Sequence, residues 1–209
     1  MWPLGRDLVH MVRIQCSFTR NQAYIFLGHS NFEIFSYVIN GFLEHKDSMS
    51  NVEMLKRGDV QFTSAGTGMR HSEFNGSSTD PVHFLQMWVH PSARDLKPNY
   101  QTRSFTEEDK LNQFCLIVAP NTGETQKSVS INQDVRVYAS LLEKDKEMEF
   151  KCDTGRFYFV HVCDTGGKIQ LNDDVSLDGG DGAFIEQTDR LRFVGKSETA
   201  AEFLLFDLA

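Results

Sequence analysis

Apolar and polar residues alternate with a period of two along most of the chain, and no stretch longer than about two turns keeps apolar residues at helical spacing. Alternation of this kind sends successive side chains to opposite faces of a strand, so the pattern predicts an all-β protein. In the first half, strands are expected at Glu33–Ile39, Phe42–His45, Asp59–Thr63 and Val82–Val89, the last bounded by Pro81 and Pro91. Asn40-Gly41 reads as a two-residue hairpin turn, because these residue types accept positive φ most readily. In the second half, strands are expected at Phe114–Ala119, Val135–Leu142, Phe157–Cys163, Lys168–Leu171, Ala183–Gln187 and Ala201–Leu208. Thr106-Glu107-Glu108-Asp109 looks like the capped first turn of a short helix. Many short strands divided by polar or glycine-rich turns point to a sandwich or barrel of the jelly-roll kind.

Composition adds detail to that picture. The 209 residues, 40% hydrophobic and 24% charged, suit a globular protein of one or two domains, and 17 phenylalanines strengthen the β bias. A net charge of −8 disfavours direct binding of nucleic acid, whose backbone it would repel. No apolar run of ~18 residues is present to span a bilayer. The stretch Met1 to Ile14, broken by Arg6, Asp7, His10 and Arg13, is neither a secretory signal nor an anchor. Cys16, Cys115, Cys152 and Cys163 are widely spaced and form no C-x-x-C pair, so reduced thiols in a cytoplasmic protein are expected, or a nuclear one in a eukaryote.

One segment carries chemistry: Gly58-Asp59, followed by Thr63-Ser64-Ala65-Gly66-Thr67-Gly68-Met69-Arg70-His71-Ser72-Glu73. His71 and Glu73 stand two apart on a strand and share a face. An imidazole and a carboxylate directed into a barrel form half of a site for a divalent first-row metal. Gly66 and Gly68 permit the tight turn that delivers them.

This run resembles pirin and the bacterial pirin-like quercetinases. Those proteins carry Gly-Asp, a turn of the form (Ser/Thr)-Ala-Gly-x-Gly, and then His-Ser-Glu or His-Ala-Glu. The likeness extends to Glu44-His45-Lys46-Asp47-Ser48, to Gln86-Met87-Trp88-Val89 and to the closing strand from Glu202 to Leu208. It implies a bicupin, two jelly-roll β-barrels in one chain. Residues 1–26 form a divergent or truncated segment that leaves the N-terminal barrel incomplete, residues 27–98 the N-terminal cupin barrel with the metal site, and residues 99–209 a linker and a C-terminal cupin barrel without one.

Family members supply two further histidines as His-x-His. Here that stretch is Leu27-Gly28-His29, so His29 takes the second place and Leu27 stands at the first. The implied ligand set is His29, His71 and Glu73, a weakened site for Fe(II) or another divalent first-row transition metal. The implied activity is quercetin 2,3-dioxygenase-like ring cleavage of a flavonol or similar small aromatic, bound through its 3-hydroxyl and 4-carbonyl oxygens, with Glu73 also taking the hydroxyl proton. The alternative is a non-enzymatic metal- or redox-sensing interaction protein with a protein partner, similar to a transcription cofactor, or an inactive partial copy. Neither direct nucleic-acid binding nor membrane attachment is expected. Glu33 reads either as an acceptor that orients an imidazole or as a solvated strand residue, His83 and His161 as core, and His45 as a surface residue.

Overall fold

The computed structural model describes residues 2–4, 9–16, 23–123, 127–163 and 165–209, with side chains from residue 30 onward. In chain order the elements begin with β1 (Trp2–Leu4), β2 (Val9–Cys16), β3 (Ala23–His29), β4 (Glu33–Asn40), β5 (Phe42–Asp47), β6 (Val52–Lys56), β7 (Asp59–Ser64), β8 (Met69–Asn75), β9 (Val82–Val89) and β10 (Asn99–Ser104). They continue with α1 (Glu107–Lys110), β11 (Cys115–Pro120), β12 (Val129–Ile131), β13 (Val135–Leu142), β14 (Glu147–Lys151), β15 (Phe157–Val162), β16 (Lys168–Leu171), β17 (Val175–Asp178), β18 (Gly182–Ile185), β19 (Arg190–Gly195) and β20 (Ala201–Leu208). The all-β reading holds. Among the described residues the single helix is one turn long, and Thr106 caps it by accepting from the Asp109 backbone while the Asp109 side chain accepts from the Thr106 backbone. Among the described residues no helix is long and apolar enough to cross a membrane.

The chain divides into two units, residues 1–104 with 121–133, and residues 105–120 with 134–209. In the first unit one sheet runs β1-β2-β9-β4-β7-β10 and the other β3-β8-β5-β6. The segment ahead of residue 30 extends both sheets, the first by β2 along β9 with β1 outside it, the second by β3 along β8. Val38, Val82 and Phe84 of the first sheet pack on Leu43 and Leu55 of the second, which makes an apolar plug.

The hairpin expected at Asn40-Gly41 is not formed. β4 pairs with β7 and β9, and β5 with β6 and β8, so the chain changes sheets at this point. Gly41 takes φ +77°, and a Cβ there would lie 2.4 Å from the Pro81 carbonyl oxygen. A corner between sheets makes the same demand for glycine as a hairpin turn, so the dipeptide alone does not tell them apart.

In the second unit β11, β13, β20, β15 and β18 form one sheet in that order, and β14-β19-β16-β17 the other. Phe203 of β20 and Phe193 of β19 stack with ring centroids 5.0 Å apart at the centre of its core, beside Tyr158, Val160 and Leu205. Every residue of β20 is buried. Cys115, Cys152 and Cys163 are free thiols, and burial pushes the Cys152 thiol up to about 11, well above the range of a reactive thiolate. His161 is buried, as expected of a core residue.

Candidate metal centre

The site lies inside the first unit and is built on β8. Gly66, at φ +47°, has space only for hydrogen, because a Cβ would fall 1.9 Å from the Leu96 carbonyl oxygen. From that turn β8 alternates strictly: Met69, His71, Glu73 and Asn75 face inward, while Arg70, Ser72 and Phe74 face outward. His71 and Glu73 therefore share the inner face, as the spacing predicts, at 5% and 1% exposure.

A third donor comes from β5. His45 stands opposite Glu73 in the ladder and is fully buried, with its ring 5.5 Å from that of His71. One ligand atom from each of His45, His71 and Glu73 can be chosen so that all three lie within 4.8 Å of one another, the one such group among the described residues. The expectation that His45 lies on the surface is thus corrected. Its phase on β5 is set by Leu43, which packs into the apolar plug two residues earlier. A strand written Phe-Leu-Glu-His-Lys-Asp reads as solvated because every second residue really is, and that charge masks the inward histidine.

The second histidine expected as a ligand, His29, closes β3, and its backbone stands opposite Met69, two residues before His71. The β3–β8 register slips between Phe26 and His29, where Leu27 and Gly28 fall. The side chains of Leu27 and His29 lie outside the described residues.

The surroundings suit the donors. Ser36 of β4 donates to Glu73 Oε1 at 3.2 Å, and Gln86 of β9 donates through Nε2 to Glu73 Oε2 at 2.9 Å. Trp88 in turn donates to Gln86 Oε1 at 2.8 Å. An indole N–H can only donate, so it fixes the Gln86 amide with its NH2 towards the carboxylate. Burial pushes the Glu73 carboxyl up to about 7, against the pull of the hydrogen bonds from Ser36 and Gln86.

His45 is held from behind by Tyr100 of β10, stacked on it at 5.1 Å, and by Asp47, whose Oδ2 is 3.5 Å from Nε2. Tyr100 and Thr102 both donate to Glu53 Oε2 at 2.6 Å. Burial lowers the His45 pKa, with Asp47 and Glu53 opposing, so the imidazole is kept in the neutral form that a metal ligand requires. Its Nδ1 is buried without a hydrogen-bond partner among the described residues. An unsatisfied nitrogen of this kind, beside a second imidazole and a carboxylate, fits a divalent transition metal.

Glu33 belongs elsewhere. It sits on the face of β4 opposite Ser36, fully buried, and accepts from the Asn132 backbone N–H and from Asn132 Nδ2, both at 2.7 Å. Burial raises its pKa, and the Asn132 hydrogen bonds pull the other way. It anchors the 129–133 segment to the first unit, so neither reading given from the sequence applies.

Comparison with known proteins gives the family. The Pirin family model matches residues 18–89, and that of the Quercetinase C-terminal cupin domain residues 116–208. The quercetin 2,3-dioxygenase of Escherichia coli K12 is 34% identical over 180 residues, 86% of this chain and 74% of that protein. The chain belongs to the pirin family. As a pirin it is a bicupin; the Pirin match falls in the first unit, and the C-terminal cupin match in the second apart from residues 121–133. The crystal structure of the E. coli pirin YhhW superposes with a TM-score of 0.78 at 30% identity, covering 96% of this chain and 80% of that one. A second YhhW structure, with the same TM-score and identity, is a complex with nickel(II).

Proposed function

We propose that this pirin is a metal-dependent dioxygenase that cleaves the central ring of a flavonol or a similar hydroxylated aromatic, with Fe(II) as its working metal. The observation that carries the reading is the convergence of His45, His71 and Glu73 inside one barrel. His29, at the end of β3, is the fourth donor in this reading, and the pair His45 and His29 offsets the leucine at position 27. Two or three imidazoles with one carboxylate suit a first-row metal that keeps positions open. When bound, that metal supplies a Lewis-acidic centre for the substrate oxygens and the redox chemistry of dioxygen.

The protein's own residues do the remainder. Ser36 and Gln86 hold the Glu73 carboxylate so that its position does not depend on the metal. Glu73 Oε1, on the longer of the two hydrogen bonds, takes the proton of the substrate hydroxyl. The relatives named as quercetin 2,3-dioxygenase support this substrate class.

The test is to purify the chain under reducing conditions, load it with Fe(II), and follow quercetin loss together with oxygen uptake. Equal consumption of flavonol and dioxygen is expected. A protein that binds the metal and leaves quercetin intact would remove the enzymatic reading and leave the non-enzymatic, metal-sensing one.

A further inference from the structure

A polar row crosses the first sheet of the N-terminal unit in front of the metal centre. The ladder sets Gln86, Ser36, Gln61 and Thr102 side by side on β9, β4, β7 and β10, and residues directly opposite in a ladder share a face. Three of the four have visible work. Gln86 and Ser36 hold Glu73, and Thr102 holds Glu53, which also binds the Tyr100 stacked on His45. Gln61 stands between them at 1% exposure. Its Nε2 donates to Thr63 Oγ1 at 2.6 Å, and in this orientation its Oε1 is buried with no partner among the described residues.

An amide oxygen is an acceptor only, and leaving one buried and unpaired costs as much as a lost hydrogen bond. The group that completes it must be a donor. We propose that Gln61 Oε1 accepts a hydrogen bond from a ring hydroxyl of the substrate, making Gln61 a specificity-determining residue that selects hydroxylated over deoxy or O-methylated aromatics. This rests on the flavonol reading above and adds a second polar anchor, on the wall opposite His45 and separate from the metal.

The experiment measures anaerobic binding of quercetin, and of analogues each lacking or O-methylated at one hydroxyl, to Ni(II)-loaded protein. Wild type, Gln61→Met and Gln61→Glu are compared, with metal content recorded for each. In wild type one position is expected to matter, its deletion or methylation weakening binding at least ~10-fold. Gln61→Met, of similar volume but without the acceptor, should bind that analogue and quercetin within about twofold of each other at unchanged metal content. Gln61→Glu, which keeps an acceptor oxygen, should retain the preference for the hydroxyl.

A flat series in wild type overturns the inference without any variant, and means that Oε1 is served by a trapped water or by the Thr63 hydroxyl. Equal discrimination by wild type and Gln61→Met overturns it as well. Either result, with quercetin still bound at the loaded metal, leaves the flavonol reading standing. Wild type that binds metal and no flavonol removes both.

Discussion

Glu73 gives the metal-free protein a stability that falls as the pH rises. Its carboxyl moves from about 4.5 to about 7 on folding, chiefly through burial, so the folded state holds the proton more tightly than the unfolded chain. The contribution is fully present below about pH 4.5 and is lost progressively as the pH rises through 7. At ~1.4 kcal/mol per tenfold change in proton activity, the loss is ~3 kcal/mol. Glu33, also raised by burial, adds a slope of the same sign, so the clean quantity is the difference between wild type and Glu73→Gln, which keeps acceptor and donor at the site but cannot ionise. Urea unfolding of both proteins, metal-free, at half-unit steps from pH 4.5 to 8 gives that difference directly. Metal binding to the carboxylate should reverse the sign, because a ligand must be deprotonated to bind, and loaded wild type should gain stability over the same range. Parallel profiles for wild type and Glu73→Gln without metal would refute the buried, proton-holding Glu73 on which this reasoning stands.

Three further outcomes are expected. His45→Asn should weaken metal affinity by more than the ~10- to 100-fold typical of losing a partner that only orients a ligand, read in a chelator competition, and an unchanged value would remove His45 from the ligand set. Leu27→His should tighten affinity in the same assay by restoring the family's first histidine, and no change would mean that position 27 does not face the metal. Asn132→Ala deprives the buried Glu33 of one of its two donors, the side-chain amide, and at ~1.5–3 kcal/mol for a hydrogen bond to a charged group it should cost ~2 kcal/mol in urea unfolding. A loss too small to detect would show that Glu33 does not depend on this contact.

What the sequence made legible was local. The strands Val82–Val89 and Ala201–Leu208, the cap at Thr106 and the pair His71 and Glu73 all follow from neighbours within a few residues, and all are found. What it hid depends on partners far along the chain. Asn40-Gly41 is written alike for a hairpin and for a corner, and only the pairing of β4 with β7 and β9 decides. Glu33 finds Asn132 at a separation of 99 residues, beyond the reach of any spacing argument. His45 was concealed by the charges beside it, although Leu43, two residues earlier, already fixed the phase of the strand. Gln61 and Ser36 carry no motif of their own, Gln86 stands out only within the Gln-Met-Trp-Val run, and their common row exists only once four strands are in register.

The most direct test of the metal centre is anomalous diffraction from crystals of the full chain loaded with Fe(II) or Ni(II). A single strong peak in the first unit, ~2.0–2.2 Å from a nitrogen of His45, a nitrogen of His71 and an oxygen of Glu73, is the predicted result. A peak held by other side chains, or none at full metal concentration, would contradict it.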